Sequence, residues 1–312
     1  MSLKKNEKAS LKATEKMLKK QEKVLLSAYK KSLNDIRLNV SRYYEKYAVK
    51  GILPASKAIR VKQLNALLAN VQTEIKTLQG AEFVTIHNHL GEVYKSSYYR
   101  AGHALETEVG GDLGFSLLNT KTVEAAALDT GNKIKWSKSS KKNSAVLNKR
   151  VKNIITQGVI KGDSLQKVNR SIKDQMGIGA SKSMRIARTE TGRAQSEGQV
   201  KAYNEAESEG LVIQRIWIAS LDARTRDSHA ETDKQIADKN NLFTLGSGVV
   251  TEAPHMSGIA EEDINCRCDI AAQLPGTESE QDFRAVRDPE SGDTVNIKNM
   301  SFNEWSKLKK VA

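Results

Sequence analysis

Residues 4–48 contain neither proline nor glycine, and this feature commits the first part of the chain to helix. Proline would remove an amide donor and clash with the preceding turn, and glycine would cost about 1 kcal/mol inside a helix. Within the stretch, Leu25, Tyr29, Leu33, Ile36, Val40, Tyr43 and Tyr47 recur at three- and four-residue steps. Such spacing places them on one apolar seam of a single long helix. Pro54 biases Leu53 away from helical geometry, so a break is expected at Gly51–Pro54. A second helix follows, with Val61, Leu64, Leu68, Val71, Ile75 and Leu78 as its stripe. Gly80 is expected to close it, and a third helix to run from about Glu82 to Glu108. Three antiparallel helices with short turns make a bundle.

Charge is unevenly distributed along the chain. Residues 1–50 carry 14 Lys and Arg against five Asp and Glu, a net +9 of the +13 of all 312 residues. A basic helix of this kind fits a polyanion, either nucleic acid or an acidic protein surface, and equally a solubilising face. If the partner is DNA, Lys12, Lys16, Lys19, Lys20, Lys23, Lys30 and Lys31 are the residues expected to meet its phosphates. Hydrophobic content is 38% and aromatic content 5%, too low for one large core and better suited to elongated helical parts. No run of about 18 apolar residues predicts a membrane span. Lys and Glu interrupt Met17–Ala28, so no cleavable leader is expected and the chain is read as neither membrane-embedded nor secreted by that route. Two cysteines one residue apart do not make a disulfide framework, which points to a reducing compartment.

Gly110, Gly111 and Gly114 mark a boundary. The Lys/Ser-rich segment Ser137–Ser144 reads as a solvated loop. Helical spacing resumes at Leu147, Val151, Ile154 and Ile155, and Asp163 is a candidate N-cap for the next helix. Ser181–Glu209 reads as a long helix closed by Gly210, with Glu207 an exposed position near its end. Alternation from Leu211 to Ala219 predicts a strand, and Ser220–Asp222 turns the chain. Arg224–Gln235 suits a short helix, Asn240–Glu262 a long loop, and Ile264–Ala272 a second strand that holds both cysteines. The expected fold class is therefore α+β and mostly helical. An N-terminal helical bundle or arm precedes a helical segment and a small C-terminal domain with a short β-sheet. The expected divisions are a basic helical region 1–112, a mixed linker 113–144, a compact domain 145–275 and a tail 276–312. The tail ends in a short amphipathic segment around Phe302, Trp305 and Leu308.

Three chemistries are open to the C-terminal domain. His229, Cys266 and Cys268 offer three zinc ligands, with His255 or Asp233 as a fourth, because structural zinc is four-coordinate. The absence of a C-x-x-C pair and the 36 residues between His229 and Cys266 favour a reduced core strand with no cofactor, zinc being the alternative. Asp222, Asp227, His229, Glu231 and Asp233 cluster acid and base groups. His229 and Asp233 would share a helix face four residues apart, which opens a metal-dependent hydrolase or nuclease using Asp222, His229 and Asp233. The preferred reading is structural: Arg188 and Glu190 on the helix and Arg224 and Arg226 on the turn form an ion-pair network, with Trp217 as core anchor. Lys138, Lys141, Lys142, Lys149, Arg150 and Lys152 form a second basic patch beside Trp136. His87 and His89 are two residues apart on a helix and so are not expected to act as a ligand pair.

The ordered fragments carry a further signal. Arg188, Thr189 and Glu190 precede Trp217; Asp222, Arg224, Thr225, Arg226, His229 and Asp233 follow; Cys266, Arg267 and Cys268 close the series. This order of an R-T-E helix, a strand ending in Trp, a D-x-R-T-R-x-x-H turn and a C-R-C element resembles the phage head morphogenesis family of Mu F-like minor capsid proteins. The likeness covers roughly residues 145–275. It implies a minor head protein of a tailed bacteriophage that is assembled in the host cytoplasm and carried in the virion. The implied partners are the portal protein, other capsid or scaffold proteins and viral DNA bound without sequence preference, with no enzymatic activity. One departure is visible: family members often carry glycine shortly after the His-x-x-x-Asp stretch, where this chain has Lys234 and Gln235.

Overall fold

The computed structural model describes residues 3–50, 53, 61–128, 135–221, 224–275, 283–287, 294–298 and 307. Among the described residues five helices come first: α1 Leu3–Tyr47, α2 Val61–Val109, α3 Thr120–Leu128, α4 Trp136–Lys161 and α5 Leu165–Ser208. Short elements follow: β1 Gln214–Ile218, α6 Asp227–Glu231, β2 Phe243–Thr244, β3 Val250–Thr251, α7 Ala260–Asp263 and β4 Asp269–Gln273. A hairpin of β5 Phe283–Arg287 and β6 Thr294–Lys298 comes after them. The fold is mostly helical α+β, as the sequence leads one to expect. The chain forms two compact units, one of Met1–Leu18, Asn88–Ile134 and Arg188–Ala312, the other of Lys19–His87 and Lys135–Ala187. No helix among the described residues is long and apolar enough to cross a membrane.

The all-helical unit is built on the expected seam. Tyr29, Ile36 and Val40 of α1 pack with Val71 and Ile75 of α2, Leu147, Val151 and Ile155 of α4, and Ile172 and Met176 of α5. A buried polar group sits within this core. The Tyr29 hydroxyl donates to Glu82 Oε2 at 2.8 Å and the Ser140 hydroxyl to Glu82 Oε1 at 2.6 Å. The Asn143 amide donates to the Gly179 carbonyl at 3.0 Å. Burial raises the Glu82 pKa, while its bonds to Ser140 and Tyr29 pull the other way. A buried polar atom left without a partner is costly, so these bonds help fix how the four helices register.

Two sequence expectations for this unit are overturned. Gly80 does not end a helix: α2 runs through it to Val109, and a Cβ built there would meet nothing within 4 Å. A single exposed glycine costs about 1 kcal/mol, which burial of Leu78 and Ile86 on either side outweighs. The segment Ser137–Ser144 is the first turns of α4 and not a solvated loop. Trp136, Ser140, Asn143 and Ser144 face inward, while Lys138, Lys141 and Lys142 are exposed. The Trp136 ring stacks on Phe83 at 5.0 Å. At the start of α5, Ser164 takes the capping bond from the Lys167 amide, not Asp163, whose carboxylate pairs with the Lys167 ammonium. Gly51, Ile52 and Pro54 of the expected break after α1, and Phe302, Trp305 and Leu308, lie outside the described residues.

The other unit carries the sheet. Strand β1 pairs antiparallel with β4, Trp217 opposite Ile270 and Ile218 opposite Asp269. Along its other edge, residues 234–237 add backbone bonds, the Trp217 amide donating to the Gln235 carbonyl and the Lys234 amide to the Trp217 carbonyl. Trp217, Phe243, Ile270 and both cysteines pack with Tyr98, Leu105, Ala202, Tyr203 and Ala206 of the helices. Close helix approach is set by Gly198: a Cβ there would lie 2.5 Å from the Tyr94 carbonyl oxygen and 3.0 Å from the Tyr98 nitrogen. The expected loop Asn240–Glu262 contains β2, β3 and part of α7.

Candidate functional site

Three short segments converge under the sheet. Helix α6 carries His229, α7 carries Glu262, and the chain leading into β4 carries Cys266 and Cys268. The expected cysteine strand begins later than its sequence suggests, so both cysteines precede β4. Non-helical geometry delivers them: Asn265 sits at φ 58, and its amide donates to Thr189 Oγ1 at 3.2 Å. Asp263, which accepts bonds from the Ser257 amide and hydroxyl and the Gly258 amide, holds the preceding loop. The Arg226 guanidinium, at the N-cap of α6, donates to the Ile264 carbonyl. Trp217 lies edge-on to the His229 ring at 5.5 Å.

Within this frame the imidazole has partners on both nitrogens. His229 Nδ1 stands 3.4 Å from Cys266 Sγ and 3.4 Å from Cys268 Sγ. Its Nε2 stands 2.8 Å from Glu262 Oε2, which also receives the Ser228 hydroxyl at 3.2 Å. His229, Cys266 and Cys268 are buried and their three donor atoms lie within 4.8 Å of one another. Burial opposes charging the ring, but the bonds to Cys268 and Glu262 more than offset it, and the His229 pKa is raised. The bond with Cys266 pulls the Cys268 thiol down, with His229 adding to it, while the same bond and burial push Cys266 up. Both cysteines are free thiols.

The remaining sequence candidates fall in different places. Glu190 is buried and accepts from Arg193 Nε at 2.7 Å; Arg193 also reaches Glu197 at 2.5 Å and the Ala126 carbonyl at 3.1 Å. Arg188, Arg224 and Arg267 are exposed, and Asp222 lies outside the described residues. Helix α6 ends at Glu231, so Asp233 lies beyond it and does not share a helix face with His229; its Oδ1 accepts the Ala219 amide at 2.9 Å. Among the described residues neither Asp233 nor His255 joins the converging His229, Cys266 and Cys268 donors. His255 is buried, its ring so close to Gly192 that a Cβ there would fall 2.1 Å from Nε2. His89 is buried singly against Thr191 Oγ1 at 2.8 Å.

Two functional arginines escaped the sequence reading. Arg193 stands three residues after Glu190 and four before Glu197, the spacing at which helical side chains meet. Arg215 alternates onto the buried face with Ile213 and Trp217. It is fully buried, pairing with Glu207 at 2.8 Å and Glu252 at 3.4 Å, with its guanidinium over the Tyr203 ring. Glu207 is therefore not the free surface position that its place near the end of the helix suggests.

Lys234 adopts φ 64, a left-handed conformation, at one of the two positions where the resemblance leads one to expect glycine. A side chain there costs roughly 1–2 kcal/mol. Lys234→Gly is expected to raise the melting temperature slightly, because Lys234 is exposed and the relieved strain exceeds the added chain entropy. A drop in melting temperature on scanning calorimetry would show that the lysine side chain contributes more than its backbone costs.

The site thus defines a class: a small sheet tied to the end of a long helix by the buried Arg215–Glu207 pair, beside a buried His–Cys–Cys cluster. Over residues 149–271 the chain matches the family described as Phage Mu protein F like protein. It is 26% identical over 298 residues to Minor head protein GP7 of Bacillus phage SPP1, covering 93% of each chain. It is 28% identical over 281 residues to the NAD(+)--arginine ADP-ribosyltransferase EFV of Enterococcus faecalis, covering 90% of this chain but 56% of that protein. An uncharacterized protein of Haemophilus influenzae is 28% identical over 222 residues, 70% of this chain and 44% of that one. No solved structure matches the chain at a significant level.

Proposed function

We infer that this chain is a minor head protein of a tailed bacteriophage, carried in the virion after assembly in the host cytoplasm, and that it acts beside the portal and binds DNA without sequence preference. The observation that carries the reading is the end-to-end likeness to a minor head protein, which extends well beyond the 149–271 domain into the basic N-terminal helices. Lys12, Lys16, Lys19, Lys20, Lys23, Lys30 and Lys31 are all exposed on α1, where phosphates could approach them. Lys138, Lys141, Lys142, Lys149 and Arg150 of α4 are exposed as well. The role is structural, not enzymatic: the transferase relative is much longer than this chain, and the imidazole in the motif is buried with a partner on each nitrogen.

Changing the seven α1 lysines to glutamine tests the DNA contact without touching the core. Each phosphate contact contributes about −0.9 to the slope of log affinity against log salt for duplex DNA. The wild-type chain should bind duplexes of any sequence with a steep salt slope, and the variant should lose several units of it. Equal, salt-insensitive affinities would remove DNA from the function. If the variant keeps its DNA affinity but no longer co-purifies with the portal protein, the basic helix is instead the portal contact.

A further inference from the structure

We propose that His229 Nδ1, Cys266 Sγ and Cys268 Sγ hold one zinc ion, with Glu262 orienting the histidine from behind. This inference stands independently of the role in the head. An imidazole nitrogen makes one hydrogen bond, and thiols are weak partners. Here two sulfurs stand at the same 3.4 Å from one nitrogen, more than a single hydrogen bond accounts for. A shared ion accounts for it directly. Zn–S and Zn–N bonds of about 2.3 and 2.0 Å at tetrahedral angles put nitrogen and sulfur roughly 3.5 Å apart.

The second observation lies on the far side of the ring. Metal-ligating histidines donate their other N–H to a carboxylate, which fixes the tautomer and strengthens the ligand. Glu262 Oε2 occupies that place at 2.8 Å from Nε2, and Ser228 steadies the same oxygen. Two thiolates and an imidazole select zinc over calcium or magnesium, which prefer oxygen. Three protein ligands leave the fourth position to water. The ion would tie together α6 and the approach to β4, segments separated by more than thirty residues, through a cross-link that a reducing cytoplasm does not break.

The test uses the full-length, untagged chain, kept reduced and purified without chelator. Elemental analysis should find about one zinc per chain. Exchange for cobalt should give the intense absorption of sulfur-to-cobalt charge transfer. Cys268→Ser should lose the metal, and Glu262→Gln, which leaves all three ligands in place, should weaken zinc binding by about 10- to 100-fold. Should Cys268→Ser fail to fold, the wild-type cobalt spectrum and the Glu262→Gln titration still decide. Wild-type protein that carries no zinc and gives no thiolate band with added cobalt would overturn the proposal, as would stoichiometric zinc retained by Cys268→Ser. Unchanged zinc affinity in Glu262→Gln would overturn the role given to the carboxylate.

Discussion

Replacing Arg193 with leucine should destabilise the sheet-bearing unit by about 3–5 kcal/mol, the usual consequence of leaving a buried charge without its partner. Arg193 and Glu190 side chains are 2% and 7% exposed, so water does not compensate the carboxylate once the guanidinium is gone. The same substitution frees Glu197 and the Ala126 carbonyl, which the two terminal guanidinium nitrogens now satisfy. The thermal midpoint of that unit should fall on the order of 10 °C. Lys95→Ala breaks the exposed Lys95–Glu92 pair and should change stability by less than about 1 kcal/mol. Scanning calorimetry of both variants checks this, and equally small shifts would mean that the Glu190–Arg193 pair is no support of the domain.

Acidification should expose the second large effect. Burial lowers the His89 pKa from 6.5 to about 4, so the native ring stays neutral against Thr191 while the unfolded chain takes up a proton. Between pH 6.5 and about 4 the unfolded state binds more protons, and stability falls as pH falls. A shift of this size corresponds to about 3 kcal/mol lost by pH 4. His255 is displaced in the same direction by its burial and adds to the loss. His89→Gln can keep a bond to Thr191 without titrating. Its denaturation midpoint should therefore decline less steeply from pH 7 to 4.5 than that of the wild-type chain. Parallel declines would show that His89 does not contribute to the acid response.

The helical seam of α1 was legible because it depends on local spacing. Leu25, Tyr29, Ile36, Val40 and Tyr43 are buried, and the Lys residues between them face solvent. The family resemblance was legible for a similar reason: Trp217, His229, Cys266 and Cys268 are read from their order and identity alone, whatever the fold around them. Gly80 and Ser137–Ser144 misled because local propensity is worth about 1 kcal/mol per residue, and packing of one helix face exceeds it.

Partner choice belonged to the tertiary structure. From the sequence Glu190 had several arginines to choose among; Arg193 takes it because α5 is continuous there and the two side chains share one helix face. Likewise, His229 and Asp233 would have faced the same way had α6 gone on past Glu231. Its end sends Asp233 to the Ala219 amide and leaves the imidazole to Glu262, Cys266 and Cys268. The sequence by itself determined which residues are available and the periods at which helices form, since both are properties of the local chain. The tertiary structure alone decided which charges pair and which donors converge, because burial and long-range packing set the distances over which ion pairs and metal ligands act.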